Sequence, residues 1–170
     1  QDDAKNQLHL VDRSVDKLQH LVNQILDLSA LEAGKTSLDV STSDLGQFVS
    51  DHVETYRVAA STREVSFNTI GLSEPLFWTF DPHKMEWVLA NLLSNAVKFT
   101  EQGEIALRAE VMEEREKSIL MRFSVQDTGI GMSEEYVDHL FEAFSQEDAG
   151  YSRSYEGLGL GLRLTKRYLD

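Results

Sequence analysis

No cysteine occurs among the 170 residues, which excludes a disulfide frame, a thiolate nucleophile and a thiolate zinc site together. A reducing, cytoplasmic compartment fits that absence. Also missing is any run of about 18 apolar residues, the length a helix needs to cross a bilayer. The polar start Gln1-Asp2-Asp3 has nothing of a signal peptide. No membrane contact is expected of this stretch, and any anchor of the full-length protein is expected outside it. Basic residues are scarce, 16 Lys+Arg against 29 Asp+Glu, for a formal charge of −13. Because attraction to phosphate dominates nucleic-acid affinity, DNA and RNA are not expected partners. Internal repeats and low-complexity tracts are lacking too, and the charged run Glu113-Glu114-Arg115-Glu116 reads as a solubilising loop or strand end.

What is present begins with an amphipathic pattern. Leu8, Val11, Val15, Leu18, Val22 and Ile25 step by three and four, widened by Leu21, Leu28 and Leu31, and predict one long helix that ends at Gly34 in a left-handed cap. Residues 1 to 33 would span about 50 Å at roughly 1.5 Å per residue. A stripe of that length needs a partner helix, so self-association through this segment is expected. Leu38 and Val40 then alternate with polar residues and predict a short strand, and Asp44-Leu45-Gly46-Gln47 has the form of a helix cap. A helix carrying Leu45, Phe48, Val49, Val53 and Tyr56 follows, with strands over 65–70 and 77–80 after it. Asp81-Pro82 opens a helix to about Phe99 that is expected to bury Met85, Val88, Leu89, Leu92 and Ala96. Two period-two runs, from Ile105 to Val111 and from Ile119 to Val125, predict an antiparallel pair. Such alternation points to an α+β chain, a two-layer α/β sandwich with helices over one face of a mixed sheet, preceded by the long helix.

Four clusters carry chemistry. On the helix after Asp81, Asn91, Asn95 and Lys98 share one face. Amide oxygens there can ligate a hard cation such as Mg²⁺ and the ammonium can neutralise phosphate, though the run also reads as an ordinary solvated face. Asp127-Thr128-Gly129-Ile130-Gly131 stands where a strand stops. Its carboxylate can accept from an exocyclic amine and its glycines permit a tight turn close to a flat ligand; an aspartate-initiated turn into a helix capped by Ser133 is the competing reading. Phe141-Glu142-Ala143-Phe144 precedes a polar stretch through Gly150 and Arg153 that suits a lid, while two phenylalanines at helical spacing also suit a core. Last, Gly157, Gly159 and Gly161 lead into an apparent helix, an arrangement whose unhindered amides favour phosphate oxygens, or else a close packing turn.

In this order the clusters resemble the N, G1, F and G2 boxes of the ATP-binding domain of histidine kinases, in the superfamily that includes gyrase and heat-shock chaperone ATPases. The helix ending Ile25-Leu26-Asp27-Leu28-Ser29-Ala30-Leu31-Glu32-Ala33-Gly34-Lys35 is similar to the second helix of the kinases' dimerisation hairpin. The resemblance implies a fold of the histidine kinase/gyrase ATPase type, with residues 1–35 as that hairpin helix and 36–170 as the ATP-binding domain. It implies ATP and Mg²⁺ as ligands: Asn95, helped by Asn91, on the metal; Lys98 on phosphate; Phe99 lining the base pocket; Asp127 on the adenine amine. Gly129 and Gly131 belong to the same set, as do Phe144 and Arg153 of the lid and the phosphate-wrapping Gly157, Gly159 and Gly161. A homodimer and a response regulator or receiver domain are the implied partners.

Hydrolytic members of the superfamily carry a glutamate one turn before the magnesium asparagine; Asn91 stands there, so ATP hydrolysis is disfavoured and transfer to histidine favoured. The chain departs from the kinases in two respects. None of its five histidines (His9, His20, His52, His83, His139) is followed by the acidic, apolar and basic residues that mark a phosphoacceptor, so each is expected to be structural or superficial. The sequence also stops at Tyr168-Leu169-Asp170, where the family continues into further strands, and an open sheet edge is expected. A non-catalytic nucleotide-binding and dimerisation module, or pseudokinase, is the alternative that the residues leave standing.

Overall fold

Helix α1 runs from Asp2 to Glu32 in the computed structural model, which describes residues 2–35, 37–71, 75–116, 118–145 and 159–170. It ends as its sequence dictates. Gly34 has φ +63°, and the Gly34 and Lys35 amides donate to the Leu31 and Ala30 carbonyls at 3.1 and 3.0 Å, the paired bonds of a glycine-terminated helix. Val11, Val15, Leu18, Val22 and Ile25 are all exposed. The remaining elements are β1 (Ser41–Asp44), α2 (Leu45–Ser61), β2 (Val65–Ile70), β3 (Phe77–Phe80), α3 (Pro82–Phe99), β4 (Gly103–Arg115), β5 (Ser118–Asp127), α4 (Glu134–Asp138) and α5 (Gly161–Leu169). They fall into two compact units, residues 38–134 and residues 1–37 with 135–170.

The unit of residues 38–134 holds both sheets. Strand order is β2-β4-β5, parallel in the first pair and antiparallel in the second, while β1 and β3 form a separate antiparallel pair. Among the described residues β2 and β5 are the edges of the larger sheet. Its inward side chains Val65, Phe67, Ile105 and Leu107 meet Leu45, Val49 and Val53 of α2 and Leu89, Leu93 and Ala96 of α3 in one core. Two layers result, as expected. On α3 the buried stripe is turned slightly from the expected one: Leu93 is fully buried and Leu92 only half so.

Asp44 and Asp81 begin the two helices. Asp44 accepts from the Gly46, Gln47 and Leu76 amides. Asp81, 9% exposed, accepts from the Lys84 amide at 3.1 Å and the Asp39 amide at 3.0 Å and pairs with the Lys84 ammonium at 3.3 Å. Burial alone would raise its pKa, but those amides and that ammonium outweigh it and hold the carboxyl below the usual range.

One expected strand is displaced. Leu38 and Val40 are 68% and 51% exposed and lie outside any strand; pairing begins at Ser41, opposite Phe80. A partner strand, not apolar alternation, fixes β1.

In the other unit α5 packs on α1. Leu28, Leu160 and Leu164 are buried, and Arg163 pairs with Glu32 at 2.9 Å.

Candidate nucleotide-binding site

The helix face predicted from spacing is present on α3. Asn91, Asn95 and Lys98 are all half-buried, one turn apart from each other in succession. The Lys98 ammonium lies 4.6 Å from the centroid of the Phe99 ring, and burial pulls its pKa below the ordinary lysine value. It is therefore a cation with part of its hydration removed, a state in which an anionic oxygen is a strong attractant.

Asp127 is the last residue of β5, and one carboxylate oxygen accepts from the Gly129 amide at 2.9 Å. That bond makes a local turn and, among the described residues, leaves the second oxygen available as an acceptor. The chain then runs directly onto the end of α3, where the Ile130 amide donates to the Phe99 carbonyl at 3.2 Å. Phe99 lies one turn beyond Asn95 and Ile130 three residues beyond Asp127, so a single hydrogen bond joins the two motifs. Gly129 and Gly131 serve this junction differently. A Cβ on Gly129 would meet the Phe99 carbonyl oxygen at 2.3 Å, so the glycine is demanded by packing of backbone on backbone. Gly131 meets nothing within 4 Å but has φ +71°, which other L-residues adopt only at a cost.

Phe144 and Gly159 lie in the unit with α1 and α5. Phe141 and Phe144 are 43% and 64% exposed, so neither is a core anchor. Residues 141–145 form turns instead of a helix, with Phe144 at φ +64°. Gly159, φ +67°, would place a Cβ 2.4 Å from the Ser145 carbonyl oxygen. The backbone of Gly159 thus lies directly against that of Phe144 and Ser145. Arg153 and Gly157 lie outside the described residues. Gly161 is the first residue of α5, and no side chain among the described residues caps that helix start.

The histidines are accounted for in the same terms. His52 donates through Nδ1 to the Phe48 carbonyl at 2.7 Å, His83 is exposed, and His139 pairs with Glu142 at 2.9 Å, which raises its pKa. The side chains of His9 and His20 are outside the described residues. A hollow of about 350 Å³ on the outer face of the large sheet, lined by Asn68, Glu104, Arg108 and Gln126 among others, includes none of the predicted site residues. Its polar lining marks the solvated side of the sheet. Thr128, outside the predicted set, bonds through its hydroxyl to Glu104; a hydroxyl directly after a strand-ending acid is its signal in the sequence.

Comparison with known proteins decides the ancestry. The model of the histidine kinase-, DNA gyrase B-, and HSP90-like ATPases matches residues 80–170, more than half of the chain. The chain belongs to this ATPase family. Within it, sensor histidine kinase GacS of Pseudomonas protegens is 40% identical over 164 residues, covering 96% of this chain and 18% of that protein. Sensory/regulatory protein RpfC of Xanthomonas campestris pv. campestris is 37% identical over 170 residues, covering 99% and 23%. The chain therefore spans about a fifth of the length of these relatives. Among solved structures, full-length ShkA in complex with AMPPNP superposes with a TM-score of 0.74 at 30% identity over 92% of this chain and 31% of that one. The histidine kinase AdeS of Acinetobacter baumannii shares the fold, with a TM-score of 0.68 at 21% identity over 91% of this chain and 68% of that one. Fold and sequence are those of the catalytic ATP-binding domain of sensor histidine kinases. No helix among the described residues is long and apolar enough to cross a membrane.

Proposed function

We propose that this chain is the catalytic part of a sensor histidine kinase that binds Mg-ATP and transfers its γ-phosphoryl group to a histidine nitrogen. The observation that carries this reading is the bond from Ile130 to Phe99, which holds the amide-and-lysine face of α3 and the Asp127 turn at one junction. Asp127 would accept from the adenine amine, which selects adenine over guanine. Lys98, already partly desolvated, would sit against phosphate oxygens. The start of α5 with Gly157, Gly159 and Gly161, and the segment bearing Phe144 and Arg153, would take the phosphate-wrapping roles that the kinase resemblance assigns.

The donor chemistry suits magnesium. Mg²⁺ takes oxygen ligands, keeps several waters and uses one or two protein oxygens beside the phosphates. Asn91 and Asn95 supply amide oxygens on one helix face, while no cluster of three acidic or histidine side chains exists among the described residues. Bound there, the ion would neutralise charge on the transferring phosphoryl group. In the transfer the bond from the γ-phosphorus to the bridging oxygen breaks, a phosphorus–nitrogen bond forms, and ADP leaves. No general base is required of this domain, consistent with Asn91 at the place where hydrolytic relatives carry glutamate.

The exposed stripe Val11, Val15, Leu18, Val22 and Ile25 on α1 supports a homodimer in which a second copy covers it. Residues 1–35 would be the hairpin helix and 36–170 the ATP-binding domain, with a receiver domain or response regulator as the next acceptor. Incubation with Mg-ATP and a separately supplied acceptor helix tests the activity, read as acid-labile, base-stable phosphohistidine. Tight ATP binding without phosphohistidine on any supplied acceptor would sink the kinase assignment, and steady phosphate release would replace it with an ATPase.

A further inference from the structure

The turn that carries Asp127 is aimed by its neighbour. β5 pairs with β4 in register Ile105↔Asp127, so Thr128 comes next, opposite Glu104. The Thr128 amide donates to the Glu104 carbonyl at 3.1 Å, as in a continuing ladder. The reciprocal bond differs. The Glu104 amide donates at 2.9 Å to the Thr128 hydroxyl, not to the Thr128 carbonyl. The hydroxyl in turn approaches the Glu104 carbonyl at 3.4 Å. In an antiparallel pair the two residues exchange both backbone bonds; here the side chain has replaced one of them. β5 can therefore end at Asp127 without orphaning the Glu104 amide of β4, and the backbone is released to cross onto Phe99 at Gly129 and Ile130.

Gly103 makes room for this exchange. It opens β4 with φ +112°, and a Cβ there would stand 2.1 Å from the Thr128 hydroxyl oxygen. The side chain that ends β5 and the glycine that begins β4 are thus a matched pair, one filling the space the other leaves empty.

We propose that Thr128 is a positioning residue for nucleotide recognition: its hydroxyl, seated against Gly103 and bonded to Glu104, fixes where the chain leaves the sheet and so sets the direction of the Asp127 carboxylate. The inference rests on the assignment of Asp127 to the adenine amine. Thr128 itself touches no ligand in this scheme. Threonine is suited to the task because a hydroxyl both donates and accepts, and its branched Cβ restricts χ1.

Thr128→Val keeps the shape and removes both bonds; Thr128→Ser keeps the bonds and removes the methyl. Titration of each variant and of the native chain with ATP and GTP in the presence of Mg²⁺ reads the ratio of the two dissociation constants, with far-UV dichroism and a melting curve to confirm folding. The expected result is that Val lowers the preference for ATP roughly three- to tenfold, the scale of one hydrogen bond, and that Ser restores most of it. A general structural role would weaken both nucleotides alike. If Val binds ATP and GTP in the native ratio while Asp127→Asn abolishes that ratio, the Thr128 proposal fails and the adenine assignment stands. If Asp127→Asn changes nothing, the assignment of Asp127 fails first. Should Val not fold, Gly103→Ala probes the same contact from β4, and an unchanged ratio in a folded Gly103→Ala chain would overturn the pairing.

Discussion

The two glycine turns of this chain are built on different foundations. The Asp127–Gly131 turn stands on a sheet edge and a helix end, tied by the Gly129-to-Asp127, Ile130-to-Phe99 and Thr128-to-Glu104 bonds, in the unit that contains the large apolar core. The Gly159 turn touches the Ser145 carbonyl among exposed residues such as Phe141 and Phe144, with a cation–π contact from Lys166 to Phe141 at 5.1 Å beside it. One turn is braced by backbone hydrogen bonds to regular structure. The other packs backbone on backbone against Phe144 and Ser145, which lie outside helix and strand. A recognition element for a flat, invariant base is best pre-organised, and a turn tied at once to a strand end and a helix end is held in that way.

The comparison breaks most sharply at Gly129. Gly129→Ala sets a methyl 2.3 Å from the Phe99 carbonyl oxygen, and both partners are backbone within regular or hydrogen-bonded structure, so neither yields cheaply. A loss of about 3 kcal/mol is expected, visible in urea denaturation together with loss of ATP binding. A folded, nucleotide-binding Gly129→Ala chain would show that the junction is not rigid.

Next in size is Asp81→Ala, which removes the cap of α3 and the tie to Asp39. The expected cost is about 2 kcal/mol at neutral pH. The folded-state pKa of Asp81 is depressed, so its contribution is complete above the unfolded carboxylate value and is lost as pH falls through the folded one. The gap between native and variant chains should therefore be constant from neutrality down to about pH 4 and narrow below it. A gap that widened with acid would contradict the sign of the shift.

The difference between the two turns also marks what the sequence makes legible. Periodicity located α2, β2, β3 and α3, because each has a core-facing stripe or a polar cap of its own, as Asp81-Pro82 has for α3. It misplaced β1, where Ser41–Asp44 is held by pairing with β3 and the apolar Leu38 and Val40 are left in solvent. The motif residues of the braced turn could be read as a set, but the reason for Gly129 could not. Its requirement comes from a carbonyl 30 positions earlier, which no local pattern encodes. The same is true of Thr128 and Gly103, and of Phe141 and Phe144, whose spacing suits a core as well as a lid segment and whose exposure excludes the core.

Gly159→Ala sharpens the contrast. Its methyl would approach the Ser145 carbonyl oxygen as closely as the Gly129 methyl approaches Phe99, and φ +67° adds the penalty of a left-handed alanine. Phe144 and Ser145 lie outside helix and strand, so the stability cost should be about 1 kcal/mol, while ATP affinity falls more than stability does. Denaturation and nucleotide titration on one sample separate the two effects; equal losses for Gly129→Ala and Gly159→Ala in denaturation would erase the distinction.

The smallest effect is expected at Arg163. Its ion pair with Glu32 joins α5 to α1, but the two side chains are 29% and 48% exposed, and pairs of that kind contribute about 0.5 kcal/mol or less. The Arg163 Nε is moreover buried without a partner among the described residues, a desolvation cost that offsets part of the gain. Leu28, Leu160 and Leu164, all buried, are left to hold the unit together. Arg163→Ala should thus leave the denaturation midpoint nearly unchanged and insensitive to salt. A loss above about 2 kcal/mol, fading as salt is added, would mean that charge and not apolar burial seats α5 on α1.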